Sequence, residues 1–215
     1  MPYRRSMETP LQNELIAAFE TAIRSLVRRF RNHPYVFYTE TDMHGYLYHR
    51  LYKPPFNVLY RTSDGHDTIL LHEEFPTVSK YTRDTDGHLR NDPASRHRGR
   101  LDISIWDPTL INVRTHRLQK VLCAAELALD DCGEESVHTV NDTTKLADPA
   151  NEIKRGYLLY FVRDKLKDYN QNKIKIHKEL NDATAKKIRV VIASKSEMEY
   201  WGAWGDFSNV IEQQR

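Results

Sequence analysis

Cysteine is scarce in this chain. Its two copies, Cys123 and Cys132, make no paired framework of the kind that staples small secreted domains, and Cys123 lies in an apolar run where a small buried hydrophobe is expected. That usage points to a reducing, cytoplasmic setting. Long apolar runs are missing as well: none approaches the roughly 18 residues of a membrane span, and the start carries no basic-then-apolar leader pattern. Neither a membrane span nor secretion is expected. Charge of one sign is also lacking. Thirty-two basic against 30 acidic residues leave a net +2, so a case for nucleic-acid binding has to come from local clustering. The glycine-rich signatures G-x-x-x-x-G-K-[ST], G-x-G-x-x-G and G-x-S-x-G do not occur, which removes the sequence support for nucleotide binding and serine hydrolysis. Ten histidines are present, yet without C-x-x-C or H-E-x-x-H spacing, and His44 and His49 stand five apart, a poor fit to one helical face. Zinc is not expected.

What remains is ordinary for a globular protein: 40% apolar and 29% charged residues over 215 positions, enough to bury a core without disulfides or a structural metal. The clearest element is a first helix. Leu11, Leu15, Ile16, Phe19, Ile23, Leu26, Val27 and Phe30 form its apolar stripe, Thr9 and Gln12 a capping box around Pro10, and His33-Pro34 its end. Arg24, Arg28 and Arg31 share the other face and read as a solvated surface. A second helix is expected from Thr39, with Asp42 three residues on, to about Tyr52 before Pro54-Pro55. Strands are expected at Phe56–Arg61 and Thr68–Phe75 around a Ser63-Asp64-Gly65 turn, and at Arg100–Trp106, Val121–Leu129, Tyr157–Val162 and Ile188–Ala193. Residues 76–99 are poor in apolar side chains and read as a long loop. A helix is expected over Asp142–Lys154, weak helical periodicity follows Asp164, and Trp201 and Trp204 close the chain in a segment expected to pack back on the domain. The tyrosines around Tyr46, Tyr48 and Tyr52 and the Tyr157/Tyr160/Phe161 run read as core and rim. This order predicts a mixed sheet with flanking helices, an α/β fold.

Two carboxylates interrupt apolar strands: Asp102 in Leu101-Asp102-Ile103-Ser104-Ile105, and Glu126 in Val121-Leu122-Cys123-Ala124-Ala125-Glu126-Leu127-Ala128-Leu129. An ionised carboxylate buried alone costs several kcal/mol, so a cation, a metal or hydrogen-bond donors must compensate it. Two hard oxygen ligands a few ångströms apart suit Mg²⁺ or Mn²⁺. The alternative is that each acid sits on a polar strand face, solvated or paired with an arginine. Before the first strand stand Arg90, Arg96, His97, Arg98 and Arg100, a basic cluster with Asp84, Asp86 and Asp92 nearby; it can grip phosphates or be a balanced, solvated loop.

Five segments carry a resemblance: Thr39-Glu40-Thr41-Asp42 opening a helix, His72-Glu73-Glu74-Phe75-Pro76, Arg98-Gly99-Arg100-Leu101-Asp102-Ile103-Ser104-Ile105, Ala125-Glu126-Leu127-Ala128, and Asp142-Thr143-Thr144-Lys145-Leu146. In this order the chain, roughly from Thr39 to Ala193, resembles the PD-(D/E)XK nuclease superfamily. The resemblance implies a restriction endonuclease-like mixed central sheet flanked by helices. It divides a single domain into an N-terminal helical elaboration (1–38), the core (39–195) and a tail (196–215). In that family a helix acid, a strand aspartate and an E-x-K on the next strand form the metal site, which puts Glu40, Asp102 and Glu126 on Mg²⁺ or Mn²⁺. The family lysine is replaced here by Ala128. Lys145 is the first candidate to supply its charge and Lys120 the second; the metal acting alone or a silent site are the other outcomes. With Arg96, Arg98 and Arg100 on the backbone, the resemblance implies a nuclease acting on DNA before RNA, with a homodimer allowed by the family and no interface stripe in the sequence. Its alternative is an inactive nucleic-acid-binding or protein-interaction module.

Overall fold

A computed structural model describes residues 9–62, 65–86, 88–109, 120–129, 138–163, 170 and 188–202. The expected Ser63-Asp64 turn, the segment after Asp164, Cys132 and Trp204 lie outside the described residues.

Helix α1 (Pro10–Asn32) begins as its capping box requires: the Gln12 amide donates to Thr9 Oγ1 at 3.2 Å, and the Thr9 amide donates to Gln12 Oε1 at 3.0 Å. Its stripe of Leu15, Phe19, Ile23, Leu26 and Phe30 is fully buried, each worth roughly 1.5–3 kcal/mol of transfer free energy. Helix α2 (Glu40–Leu51) repeats the device with Thr39 and Asp42, and buries Met43, Leu47 and Leu51.

The strands are β1 (Tyr60–Arg61), β2 (Asp67–Thr68), β3 (Leu71–Arg83), β4 (Leu89–Asn91), β5 (Arg98–Trp106), β6 (Val121–Leu129), β7 (Ile153–Val162), β8 (Ile188–Ser194) and β9 (Met198–Trp201), with helix α3 (His138–Ala147) between β6 and β7. β1 and β2 make a small ribbon. The other seven form one mixed sheet in the order β4-β3-β5-β6-β7-β8-β9. From β4 to β6 the neighbours run antiparallel; β6, β7 and β8 are parallel, and β9 returns antiparallel. The protein is thus α/β with a mixed sheet and flanking helices, as the element order predicts. No helix among the described residues is long and apolar enough to cross a membrane.

Alternation along β6 and β7 assigns the two faces. Tyr157 and Phe161 turn to α1, where their rings lie 5.2 Å from Phe19 and 4.9 Å from Phe30. Glu126 and Tyr160 turn to α3. Gly156 lets α3 come close, since a Cβ there would lie 3.2 Å from Leu146 Cβ.

Three expectations are corrected. Residues 76–99 are mostly strand: β3 runs through Arg83, and β4 pairs with its end. The inward positions there are Thr77, Ser79 and Tyr81, which are polar and hydrogen-bonded, so no apolar alternation announces the strand. Of Phe56–Arg61 only Tyr60–Arg61 is strand; the part before it turns, and Phe56 is buried by the fold around it. The helix expected over Asp142–Lys154 ends at Ala147, where Asp148 caps a 3-10 turn by accepting from the Ala150 amide at 2.9 Å, and β7 starts at Ile153. Trp201 lies in β9 and packs against the core.

Candidate functional site

The last ladder pair between β5 and β6 is Ile103 with Ala125; one step further the register sets Asp102 opposite Glu126. Directly opposed residues of an antiparallel pair share a face, and both acids line one cleft of about 740 Å³ together with Glu40, Glu74, Arg98, Arg100, Asp142 and Lys145. Asp102 is held from β6, whose Leu127 amide donates to Asp102 Oδ2 at 2.8 Å. On the other side of Asp102, in β3, Glu74 takes a positive φ of 49°, a strained conformation for a side-chain-bearing residue, directly where the β3–β5 ladder skips a pair.

Glu126 is 1% exposed. Its Oε2 accepts from Lys145 Nζ at 2.7 Å, and its Oε1 is buried with no hydrogen-bond partner. Lys145 also lies 3.1 Å from Asp142 Oδ1 and donates to the Arg100 carbonyl at 3.1 Å. Three oxygens therefore surround an ammonium that has three N–H groups. Behind Asp142, Tyr160 donates its hydroxyl to Oδ2 at 3.0 Å.

From α2 come Glu40 and, one turn later, His44. His44 Nε2 stands 3.3 Å from Asp102 Oδ2 and 3.7 Å from Glu40 Oε1, near enough for charge attraction, yet it is buried and makes no aligned hydrogen bond. Glu40, His44 and Asp102 each offer a ligand atom within 4.8 Å of the others.

Burial, the largest influence on each acid here, raises Glu126 well above the usual carboxylate range, with Asp102 and Asp142 pushing the same way and Lys145 opposing; it raises Asp142 as well. Burial also disfavours the Lys145 ammonium, but Glu126, Asp142 and Asp102 outweigh it and the lysine is held charged. At Asp102 desolvation is overcome by His44, Lys145 and the Leu127 amide, so its carboxyl titrates low. At His44 desolvation is overcome chiefly by Asp102, and the imidazole titrates high. Asp102, Glu126 and Asp142 thus crowd around Lys145 and His44, and burial with mutual repulsion disfavours a full set of ionised carboxylates there.

Such a donor set fits a divalent metal. Glu40, His44 and Asp102 bring two carboxylates and an imidazole nitrogen within 4.8 Å of one another, a combination of hard oxygens with one nitrogen that Mg²⁺ accepts and Mn²⁺ accepts more readily, and the orphaned Glu126 oxygen belongs to the cleft that Glu40 and Asp102 also line.

Compared with models of known protein families, with curated proteins and with solved structures, the chain matches none. The site is read on its own geometry.

Of the residues the sequence singles out, Glu40, Asp102, Glu126, Lys145, Arg98 and Arg100 line the cleft. Arg100 is exposed and pairs with Glu74 at 3.4 Å. Arg96 is exposed and lies outside the cleft lining, and so does Lys120, which lines a second depression at the start of α1. His44 and Asp142 were missed as site residues. Both carried a helical signal: His44 follows Glu40 by four residues and Asp142 precedes Lys145 by three, spacings that put side chains on one helix face.

Proposed function

We propose that this protein is a divalent-metal-dependent nuclease of the PD-(D/E)XK type, hydrolysing phosphodiester bonds of DNA, with RNA the second candidate substrate. One observation carries the reading: Asp102 and Glu126, on adjacent strands, meet in one cleft where Glu126 keeps a buried oxygen without a partner and Lys145 reaches the same carboxylate from α3. The succession of α2, the antiparallel strands β3, β5 and β6, helix α3 and parallel β7 supports it, since the resemblance implies a helix acid, a strand aspartate, a glutamate on the next strand, and then a helix and another strand.

Glu40, His44, Asp102 and Glu126 Oε1 would hold Mg²⁺ or Mn²⁺. The metal when bound supplies Lewis-acid polarisation of a phosphoryl oxygen and an acidified water. The chain's own residues do the rest. Arg98 and Arg100 on the cleft rim attract and place the phosphate backbone. Lys145, held charged, contributes positive potential where negative charge develops, the part that Ala128 cannot play from β6. Before an ion binds, His44 Nε2 at 3.3 Å favours the ionised form of Asp102; with the ion bound that nitrogen would be neutral and directed to the metal.

Plasmid and short duplex DNA incubated with the protein in Mg²⁺ or Mn²⁺ should be cut, and Asp102→Ala should abolish cutting. No cleavage in either metal, or equal cleavage by the variant, removes the proposal.

A second reading is favoured by one specific observation: the three oxygens around Lys145 match its three N–H groups, so the lysine already neutralises part of the acidic cluster by itself. On that reading the cleft belongs to a catalytically silent nucleic-acid-binding or interaction module. It predicts no rise in melting temperature with Mn²⁺. A rise that Glu126→Ala abolishes counts against it.

A further inference from the structure

The cleft is lined by five carboxylates, Glu40, Glu74, Asp102, Glu126 and Asp142, against four cations, Arg83, Arg98, Arg100 and Lys145, and it is organised unevenly. Around Glu126 Oε2 the space is filled: Lys145 Nζ sits at 2.7 Å, with Asp142 Oδ1 at 3.1 Å and the Arg100 carbonyl at 3.1 Å on its other sides. Around Glu126 Oε1 it is not. That oxygen is buried without a partner, in the same cleft as Glu40 and Asp102, and His44 Nε2 is a second buried atom with no hydrogen-bond partner.

Sites that use two metal ions place them about 3.5–4 Å apart and share a carboxylate between them, one oxygen toward each ion. Glu126 is the carboxylate in position to be shared, and one of its oxygens is taken. The oxygens that would surround a second ion, Glu126 Oε2, Asp142 Oδ1 and a backbone carbonyl, already surround an ammonium. The ammonium is fixed there from three directions. Asp142 is held by the Tyr160 hydroxyl at 3.0 Å, α3 is tied to β3 through Asn151, which donates to the Lys145 carbonyl at 2.8 Å, and the lysine stem runs against Gly99.

We propose that Lys145 is a resident cation in the second metal position, so that the centre takes a single divalent ion, on the Glu126 Oε1 side with Glu40, His44 and Asp102. This rests on the reading of the cleft as a metal centre. Its consequence is that taking away the ammonium opens a second place between Glu126 Oε2 and Asp142, where Mn²⁺ competes with protons to make good the displaced charge.

Counting bound Mn²⁺ by calorimetry and electron paramagnetic resonance, on the whole chain and without nucleic acid, tests it. The wild type should bind one ion per chain. Lys145→Met should bind two and show the spin-coupled signal of a close Mn²⁺ pair, and adding Asp142→Asn to it should return the count to one. Two ions on the wild type, none at all, or a folded Lys145→Met that still binds one overturns the inference; should Lys145→Met fail to fold, the wild-type count and Lys145→Gln decide it. Cleavage is assayed separately. One ion with no cleavage removes the nuclease and leaves the single-ion centre, whereas two ions with cleavage does the reverse.

Discussion

Gly99 and Lys145 are packed so closely that a methyl group on the glycine would lie 3.2 Å from Lys145 Cδ. The same methyl would lie 3.2 Å from the Tyr81 ring, whose hydroxyl donates to Asp148 at 3.1 Å and accepts from Asn151 at 2.9 Å. The ring is pinned, so the lysine stem must give. Gly99→Ala is expected to cost about 1 kcal/mol by overpacking and, on the proposed nuclease reading, to weaken metal-dependent cleavage more than this small loss explains. Urea unfolding beside a cleavage assay checks it; an unchanged midpoint would mean that the stem has room.

His72 gives the fold a predictable acid sensitivity. Its ring stacks on Trp106 at 3.8 Å between centroids and its Nε2 donates to the Ile69 carbonyl at 3.1 Å. Burial lowers its pKa from the ordinary 6.5 to about 4. The unfolded chain therefore binds a proton that the native state refuses, and stability present above pH 6.5 is lost as the pH falls toward about 4. The loss should amount to roughly 3 kcal/mol over that window. Denaturant titrations from pH 7 to 4 should show it, and His72→Phe should flatten the curve in that range. A parallel slope in the variant would rule His72 out as its source.

Asn151 joins β3 to the end of α3. Its Oδ1 accepts from the Ser79 amide at 3.0 Å, and its Nδ2 donates to the Tyr81 hydroxyl and to the Lys145 carbonyl at 2.9 and 2.8 Å. Truncation would leave several buried polar groups unpaired, so Asn151→Ala should cost about 3 kcal/mol, while Asn91→Ala, an exposed neighbour in the same network, should cost under about 1. Equal losses at the two positions would contradict this.

Arg98 lines the cleft, and on the proposed nuclease reading it would meet a phosphate. Arg98→Ala should weaken binding of duplexes of any sequence to a similar degree and lower the slope of log affinity against log salt by about one. Arg96→Ala, outside the cleft lining, should change the slope less. The two variants are separated by anisotropy titrations between low and moderate salt, and a larger effect at Arg96 would move the backbone contact away from the cleft.

Much was legible in the residues alone. Capping at Thr9 and Thr39 depends on side chains three positions apart, and the apolar runs at Val121–Leu129 and Ile188–Ser194 declare buried strands by composition. Asp102 and Glu126 stood out for the same reason, because a charge within such a run needs a partner wherever it folds. β3 stayed hidden between Thr77 and Tyr81: its inward side chains are small or hydroxylated, and the Ser79 amide and Tyr81 hydroxyl are satisfied by Asn151 and Asp148, about seventy positions away. No local pattern reports a partner at that distance.

The sequence by itself determined the first two helices, the most apolar strands and the presence of two acids that could not stay uncompensated, since each follows from contacts within a few residues or from the cost of burying charge. Only the tertiary structure decided what compensates them. Strand register set Asp102 beside Glu126, the close approach of α3 brought Lys145 and Asp142 to Glu126 Oε2, and the seating of α2 brought His44 to Asp102. Electrostatic partnership acts through space at about 3 Å, and distances of that kind exist only once the sheet is assembled.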